Sequence, residues 1–391
     1  MLKTQPEQGR PQIDVIMTLF NGAKWIAAAL DSVMAQTVTP QNIMVVDDGS
    51  SDDSAEIVKK YPSVQLLRNP GKGVAAGRNH GLAHAKSEFI AYLDQDDVWH
   101  PRHLELLSTG LRQNPDIGGI ISDYQIFQDG KTPHLNVDHP EYHKVDVLDS
   151  YPVFTGQFIT SACMYRREAL NLAGGWDSRG IGAGDYFLWA KVSAHAPMLK
   201  CKVRSMGYRI HADSMLQKWE RQGKKVMVQN LFVSDLVLDY HLSLVKDHQK
   251  RFFLKKRNLL NYQLFEVFDR LTEGDLTALS ARLMDLEHGL KDESDAFIRH
   301  MARQIDYYIL RFAKDPQEVY EYYKTLIRHT PARAKKMADI LDNLLVHKFP
   351  GMNFYLKSLS EDPFNYKIYV PVVMAVKFKL RGDQPGIKLN V

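Results

Sequence analysis

Cysteine is nearly absent. The 391 residues hold two, Cys163 and Cys201, with no metal-type spacing, which excludes a disulfide-stapled scaffold and a thiolate zinc centre. Long apolar runs are missing too. The longest largely apolar stretch near the C-terminus, Tyr369 to Phe378, is broken by Pro371 and falls well short of the ~20 residues that a membrane span needs. The N-terminal MLKTQPEQGRPQ lacks the apolar stretch of a signal peptide. These absences predict a reducing cytoplasmic setting. What is present, 45% hydrophobic, 25% charged and 10% aromatic residues, is the makeup of a folded globular chain. Single cores stop growing near ~250 to 300 residues, so at least two are expected.

The net charge of +4 is unevenly distributed. From residue 215 onward there are 29 Lys and Arg against 22 Asp and Glu, or +7, which leaves 21 against 24, or −3, before it. The densest basic stretch, Lys246 to Arg257, interleaves six cations with Phe252, Phe253 and Leu254 on a predicted helix. A solvated helix face is the plain reading, and contact with an anionic membrane surface is the functional one. No base-reading motif accompanies the charge, so nucleic acid is not an expected partner.

After a polar tail (1–11), strand and helix patterns alternate. Strands are predicted at Ile13 to Leu19, Asn42 to Val46, Val64 to Leu67, Phe89 to Leu93 and Gly118 to Ser122. Helices are predicted at Trp25 to Ala35, Ser54 to Tyr61 and Ala75 to Ala85. Such alternation favours an α/β fold with a mainly parallel sheet flanked by helices, and places ligands beyond the carboxyl ends of its strands. Residues 128 to 160 read as loop-rich, and a Gly-rich segment, Gly174 to Asp185, leads into a helix at Tyr186 to Ala194. From about residue 216 strand signals vanish and amphipathic helical patterns take over. The predicted division is therefore 12–215 as one domain and 216–391 as a mostly helical second one.

Two acidic clusters close neighbouring strands. Asp94-Gln95-Asp96-Asp97 packs three carboxylates into four residues, and like charges so close call for a cation, with hard oxygen ligands suiting Mg²⁺ or Mn²⁺. Taken alone, the string could equally be an acidic turn. Asp47-Asp48 ends an adjacent strand, so the two clusters would meet in one crevice. Asn69 to Gly81 superficially looks like a dinucleotide fingerprint, but its glycines at 71, 73 and 77 are spaced one residue too long. A loop followed by a helix that points Arg78 into the crevice fits better. His80 and His84 stand one helical turn apart without an acidic third ligand, which argues against a metal pair.

Six stretches in this order carry a family resemblance: DVIMTLFNGAKWIAAALDSVMAQT (14–37), VVDDGSSDDS (45–54), GVAAGRNHGLAHA (73–85), FIAYLDQDDVWHPRHLE (89–105), GGWDSRGIGAGDYFLWAKV (174–192) and YRIHADSM (208–215). Together they resemble the inverting, nucleotide-sugar-dependent glycosyltransferases of family 2, with the GT-A fold, over roughly residues 12 to 215. The resemblance implies a nucleotide-sugar site formed by Thr18, Asn21, Asp48, Arg78 and Asp94, a metal held by Asp96 and His211, and Asp185 as general base. It also implies a nucleoside-diphosphate sugar as donor, with uridine diphosphate expected, Mn²⁺ or Mg²⁺ as cofactor, and a glycan or lipid-linked glycan as acceptor. The setting it implies is polysaccharide biosynthesis for the cell envelope, with the protein expected in the cytoplasm or peripheral at the inner face of the membrane.

Two positions depart from the family pattern. Met17-Thr18-Leu19-Phe20-Asn21 lacks the familiar Pro of the first motif, and the usual Glu-Asp pair appears as Gly184-Asp185. The Gln-x-x-Arg-Trp motif of processive relatives is absent, so one sugar per encounter is expected. Two competing readings are a nucleotidyltransferase, which would want a basic phosphate loop near the first strand, and a catalytically silent binding or scaffold subunit. The basic C-terminal half is expected to hold a membrane-borne acceptor or a second copy of the chain.

Overall fold

The computed structural model describes residues 9–145, 159–180, 183–214, 224–273 and 282. The chain forms two compact units, residues 1–255 and 256–391, each considered by itself. In the first, β1 (Ile13–Leu19), α1 (Ile26–Met34), β2 (Asn42–Asp47), α2 (Ser54–Val58), β3 (Val64–Arg68), α3 (Val74–His84) and β4 (Phe89–Asp94) follow the predicted alternation. The short β5 (Val98–Trp99), α4 (His103–Gln113), β6 (Gly119–Gln128), β7 (Tyr142–Val145), β8 (Cys163–Arg166), α5 (Arg167–Leu172), α6 (Gly184–Ser193) and β9 (Met198–Ile210) come next.

Nine strands make one sheet in the order β3-β2-β1-β4-β8-β6-β9-β5, with β7 on β9. The β3-β2-β1-β4 half is parallel throughout. The other half is mixed: β8 lies antiparallel between β4 and β6, and β9 runs parallel to β6. Strands β1 and β4 are buried on both faces, as helix-covered parallel strands must be. On α1 the buried residues are Ile26, Ala29, Leu30 and Val33, the i, i+3, i+4, i+7 stripe of a helix lying on a sheet.

A buried carboxylate fixes the amino end of the sheet. Asp14 accepts hydrogen bonds from the Lys86 and Ser87 N–H groups at 2.7 and 2.9 Å and from the Asn42 amide at 2.7 Å, so its burial is compensated. The opposite, carboxyl edge is where side chains remain to be used.

A helix at Lys224–Leu244 packs its Val233 and Val237 against Phe187 and Ala190 of α6, with Leu254 from the following helix, His248–Glu273. Among the described residues no helix is long and apolar enough to cross a membrane. The Tyr369 to Phe378 stretch and the basic cluster at Arg333, Lys335 and Lys336 lie outside the described residues.

Candidate active site at the carboxyl edge of the sheet

Parallel pairing sets the site. Register places Thr18 beside Asp94, Leu19 beside Asp47 and Asp47 beside Arg68, so the ends of four strands form one row. The chain leaves β1 through Phe20, whose N–H donates to Gln95 Oε1 at 2.8 Å and whose carbonyl accepts from Gln95 Nε2 at 3.0 Å. That bidentate clasp ties the first loop to the Asp94–Asp97 turn and leaves the Phe20 ring 54% exposed. Asn21 adopts φ 46°, a left-handed conformation that Asn tolerates, and its Oδ1 accepts the Ser51 N–H at 2.8 Å. Asn21 therefore shapes the loop. Asp48 accepts the Gly73 N–H at 2.9 and 3.0 Å and the Asn69 amide at 2.6 Å, which fastens the 69–73 loop over the end of β2.

Helix α3 lies close on β1 because position 81 is glycine: a Cβ there would stand 2.5 Å from Ile16 Cγ2. This approach brings Arg78 into the crevice, where its Nη2 donates to Asp94 Oδ1 at 2.5 Å. The guanidinium also lies 4.2 Å from the Trp176 ring centroid, a cation–π contact. Arg78 is thus held between a carboxylate and an indole.

The Asp94–Asp97 string divides by burial. Asp97 is 1% exposed and accepts the Ser161 hydroxyl at 2.6 Å and the Arg209 N–H at 3.0 Å. Burial, together with the Asp96 and Asp94 charges, raises its pKa well above the ordinary carboxylate range. Of the three clustered carboxylates, Asp97 is thus the one turned inward, where it ties the turn after β4 to Ser161 and β9. Asp96 instead faces His211, whose Nε2 lies 2.9 Å from Asp96 Oδ2. His211 stacks on Trp25 with ring centroids 3.9 Å apart, and Trp25 Nε1 donates to Asp129 at 3.1 Å.

Asp96 and His211 fit a divalent ion. Two adjacent ligands of an octahedral ion at about 2.1 Å stand about 3 Å apart, and the observed carboxylate and imidazole atoms are 2.9 Å apart. The pair would supply two ligands, and an ion of this type commonly keeps several waters in its remaining positions. Among the described residues no group of three His, Cys, Asp or Glu could hold a metal by itself. His84 Nδ1 bonds the His80 carbonyl at 2.9 Å, an ordinary intrahelical contact.

Asp185 opens α6, where its Oδ1 accepts the Tyr186 N–H at 2.8 Å. Burial pushes its carboxyl up to about 6, the Tyr186 N–H and Arg78 hold it down, and Asp94 raises it. That places a carboxylate near the pKa a general base needs at neutral pH. Tyr208 reports the same convergence: burial raises its phenol first, then the charges of Asp97, Asp96, Asp94 and Asp185. Four carboxylates, three from the end of β4 and the turn after it and one from the start of α6, therefore act on one ring. Thr18 stands half-buried at the crevice floor.

Sequence reasoning passed over several residues here. Trp176, Phe20, Gln95 and Tyr208 were part of recognised stretches but carried no assigned role. Arg209, whose Nε donates to the Asp96 carbonyl at 2.7 Å, was also missed. Only the exposed aromatic at the end of β1 gives a local sequence signal.

Residues 14–172 match the family described as Glycosyl transferase family 2. Escherichia coli chondroitin synthase is 22% identical over 256 residues, which is 63% of this chain and 34% of that protein. A protein of Nostoc sp. described as an uncharacterized glycosyltransferase is 31% identical over 169 residues, 41% of this chain and 52% of that protein. The chain thus spans about a third to a half of the length of these relatives. Residues 1–349 of S. aureus TarS in complex with UDP-GlcNAc share the fold, with a TM-score of 0.54 at 16% identity over 80% of this chain and 92% of that one.

Proposed function

We propose that this chain, whose residues 14–172 match the Glycosyl transferase family 2 model, moves one sugar from a uridine-diphosphate sugar to a hydroxyl of a glycan or lipid-linked glycan, inverting the anomeric centre. The observation that carries the reading is the convergence of Arg78–Asp94, Asp96–His211 and Asp185 at one edge of the sheet. The named ligand of the TarS complex, UDP-GlcNAc, supports a uridine nucleotide as donor.

Each side chain then has a chemical task. Phe20 offers an exposed ring on which a base can stack. Thr18, the Asp48-fastened loop and Asn21 shape the nucleoside end. Asp94, oriented by Arg78, accepts from the ribose hydroxyls. Asp96 and His211 would hold a divalent ion, Mn²⁺ or Mg²⁺, which would supply positive charge to stabilise the departing diphosphate. Asp185 takes the proton of the acceptor hydroxyl as its oxygen attacks C1 from the opposite face. The C1–O bond to phosphate breaks, and its electron pair leaves with the nucleoside diphosphate. Only one carboxylate is needed on the reacting side.

A thermal-shift screen of UDP, GDP and UDP-sugars with and without Mn²⁺ tests the reading. A ligand at ~100 times its Kd adds ~2.7 kcal/mol of stability. Stabilisation by UDP ligands that needs Mn²⁺ and disappears in Asp96→Ala is expected. Stabilisation by no nucleotide under any condition would overturn the proposal.

A further inference from the structure

The segment ahead of α6 is tied down from two sides by residues that the proposed chemistry does not use. On one side, Asn79 makes a two-way clasp: its Nδ2 donates to the Trp176 carbonyl and its Oδ1 accepts the Trp176 N–H, both at 2.8 Å. Position 175 must be glycine for this, because φ is 65° and a Cβ would stand 2.6 Å from Asn79 Oδ1. On the other side, Lys191, buried on α6, donates its ammonium to the Gly175 carbonyl. Burial lowers the Lys191 pKa, while the nearby Asp177 raises it. Burying an ammonium is costly unless its donors are satisfied, so the Gly175 carbonyl and Lys191 hold each other in place.

These contacts connect three parts of the crevice. Asn79 follows Arg78 on α3, and Trp176 is the ring that covers Arg78. Lys191 lies six residues after Asp185 on the same helix. We infer that Asn79 and Lys191 are positioning residues that latch the Gly175–Trp176 segment between α3 and α6, and so fix Arg78 relative to Asp185. Neither touches the reacting atoms. Their effect passes through Trp176, which holds Arg78 against Asp94, and through α6, which presents the base. The donor side and the base side are thereby set as one unit, and a small misplacement of such a unit costs up to ~10²-fold in rate. The kinetic part of this inference rests on the function proposed above, whereas the latch itself does not.

The test has an arm that needs no turnover. In the full chain, hydrogen exchange at the Trp176 amide should speed up at least ~10-fold in Asn79→Ala, because that amide loses its acceptor. Lys191→Met should loosen the same segment. Turnover of UDP-GlcNAc or another accepted UDP-sugar with Mn²⁺ should show kcat lowered ~10- to 100-fold in each variant, with donor KM changed less. The double variant should be no worse than the poorer single one, since both residues act through one segment. The acid limb of the kcat–pH profile should also move upward, because Arg78 is the cation that holds Asp185 down. The other groups facing Asp185, namely Asp94, Cys163, Tyr165 and Tyr208, are left in place. Asn79→Asp keeps the acceptor for the Trp176 N–H but sets a carboxylate oxygen against the Trp176 carbonyl, so Trp176 exchange should speed up less than in Asn79→Ala. It also serves if the Ala variant does not fold. Unchanged Trp176 exchange would overturn the latch, and multiplying kcat losses in the double variant or a fixed acid limb would overturn its kinetic part. Absence of turnover in the wild type would refute the proposed function, and the exchange arm would still judge the latch.

Discussion

Replacing Asp185 by Asn should make the protein more stable and inactive. The side chain opens α6 in a half-buried position, and burial raises its carboxyl from an ordinary 3.8 to about 6. The folded state therefore binds the proton more tightly than the unfolded state. Below about pH 4 the group is protonated in both states and costs nothing; as pH rises through about 6, stability is lost. Two units correspond to about 3 kcal/mol, and the partly exposed flank of the side chain brings the expected cost at pH 7.5 to about 1 to 3 kcal/mol. At pH 5 about half of it remains. Asparagine keeps the shape and removes the charge, so urea melts in donor-free, metal-free buffer should favour Asp185→Asn at pH 7.5 and about half as much at pH 5. A variant less stable than wild type at pH 7.5, or an advantage that does not shrink on acidification, would refute the argument that the carboxylate is held under strain.

Asp97→Asn should retain Mn²⁺-dependent stabilisation by UDP, because Asp97 faces Ser161 and Arg209, whereas Asp96→Asn should lose it; equal losses in a thermal-shift assay would contradict the division of roles. Gly81→Ala should cost about 1 to 3 kcal/mol by overpacking, since the new Cβ would meet Ile16 at 2.5 Å, and denaturant melts would read it. Within the basic stretch Arg251 is already engaged, donating to the Val245 carbonyl at 2.9 Å and to the Leu242 carbonyl at the end of the preceding helix. If the stretch docks on membranes, Lys250 and Lys255 to Gln should reduce sedimentation with anionic liposomes at low salt, each cation contributing ~1 kcal/mol. Wild-type protein that ignores such liposomes would exclude that docking.

The first half of the sheet was legible because each of its elements signals locally. Ile13 to Leu19 and Phe89 to Asp94 are short apolar runs closed by polar clusters, and the alternation with helices dictates parallel pairing. Strand β9 was missed although Cys201, Val203 and Ser205 alternate inward against Lys202 and Arg204, because basic residues on the outer face mask a period-two signal. Its pairing with β6 is further interrupted by register shifts near Asp123. The carboxylate cluster was legible as a cluster, but not in its division. Asp96 and Asp97 are adjacent letters, and only the approach of Ser161 and Arg209, from far along the chain, turns one of them inward. The Asn79–Trp176 clasp has no local signature for the same reason, since its partners lie 97 residues apart.

Asp185 is proposed as the base of a metal-assisted sugar transfer. The pH dependence of UDP-sugar turnover with Mn²⁺, measured for wild type and Asp185→Asn with donor Kd alongside, tests it most directly. With a carboxyl titrating at about 6, wild-type kcat should rise ~10-fold between pH 5 and pH 7 and then level off, while the variant loses ~10²-fold or more at unchanged donor Kd. A flat wild-type profile over that range, or donor affinity that collapses together with rate, would contradict the assignment.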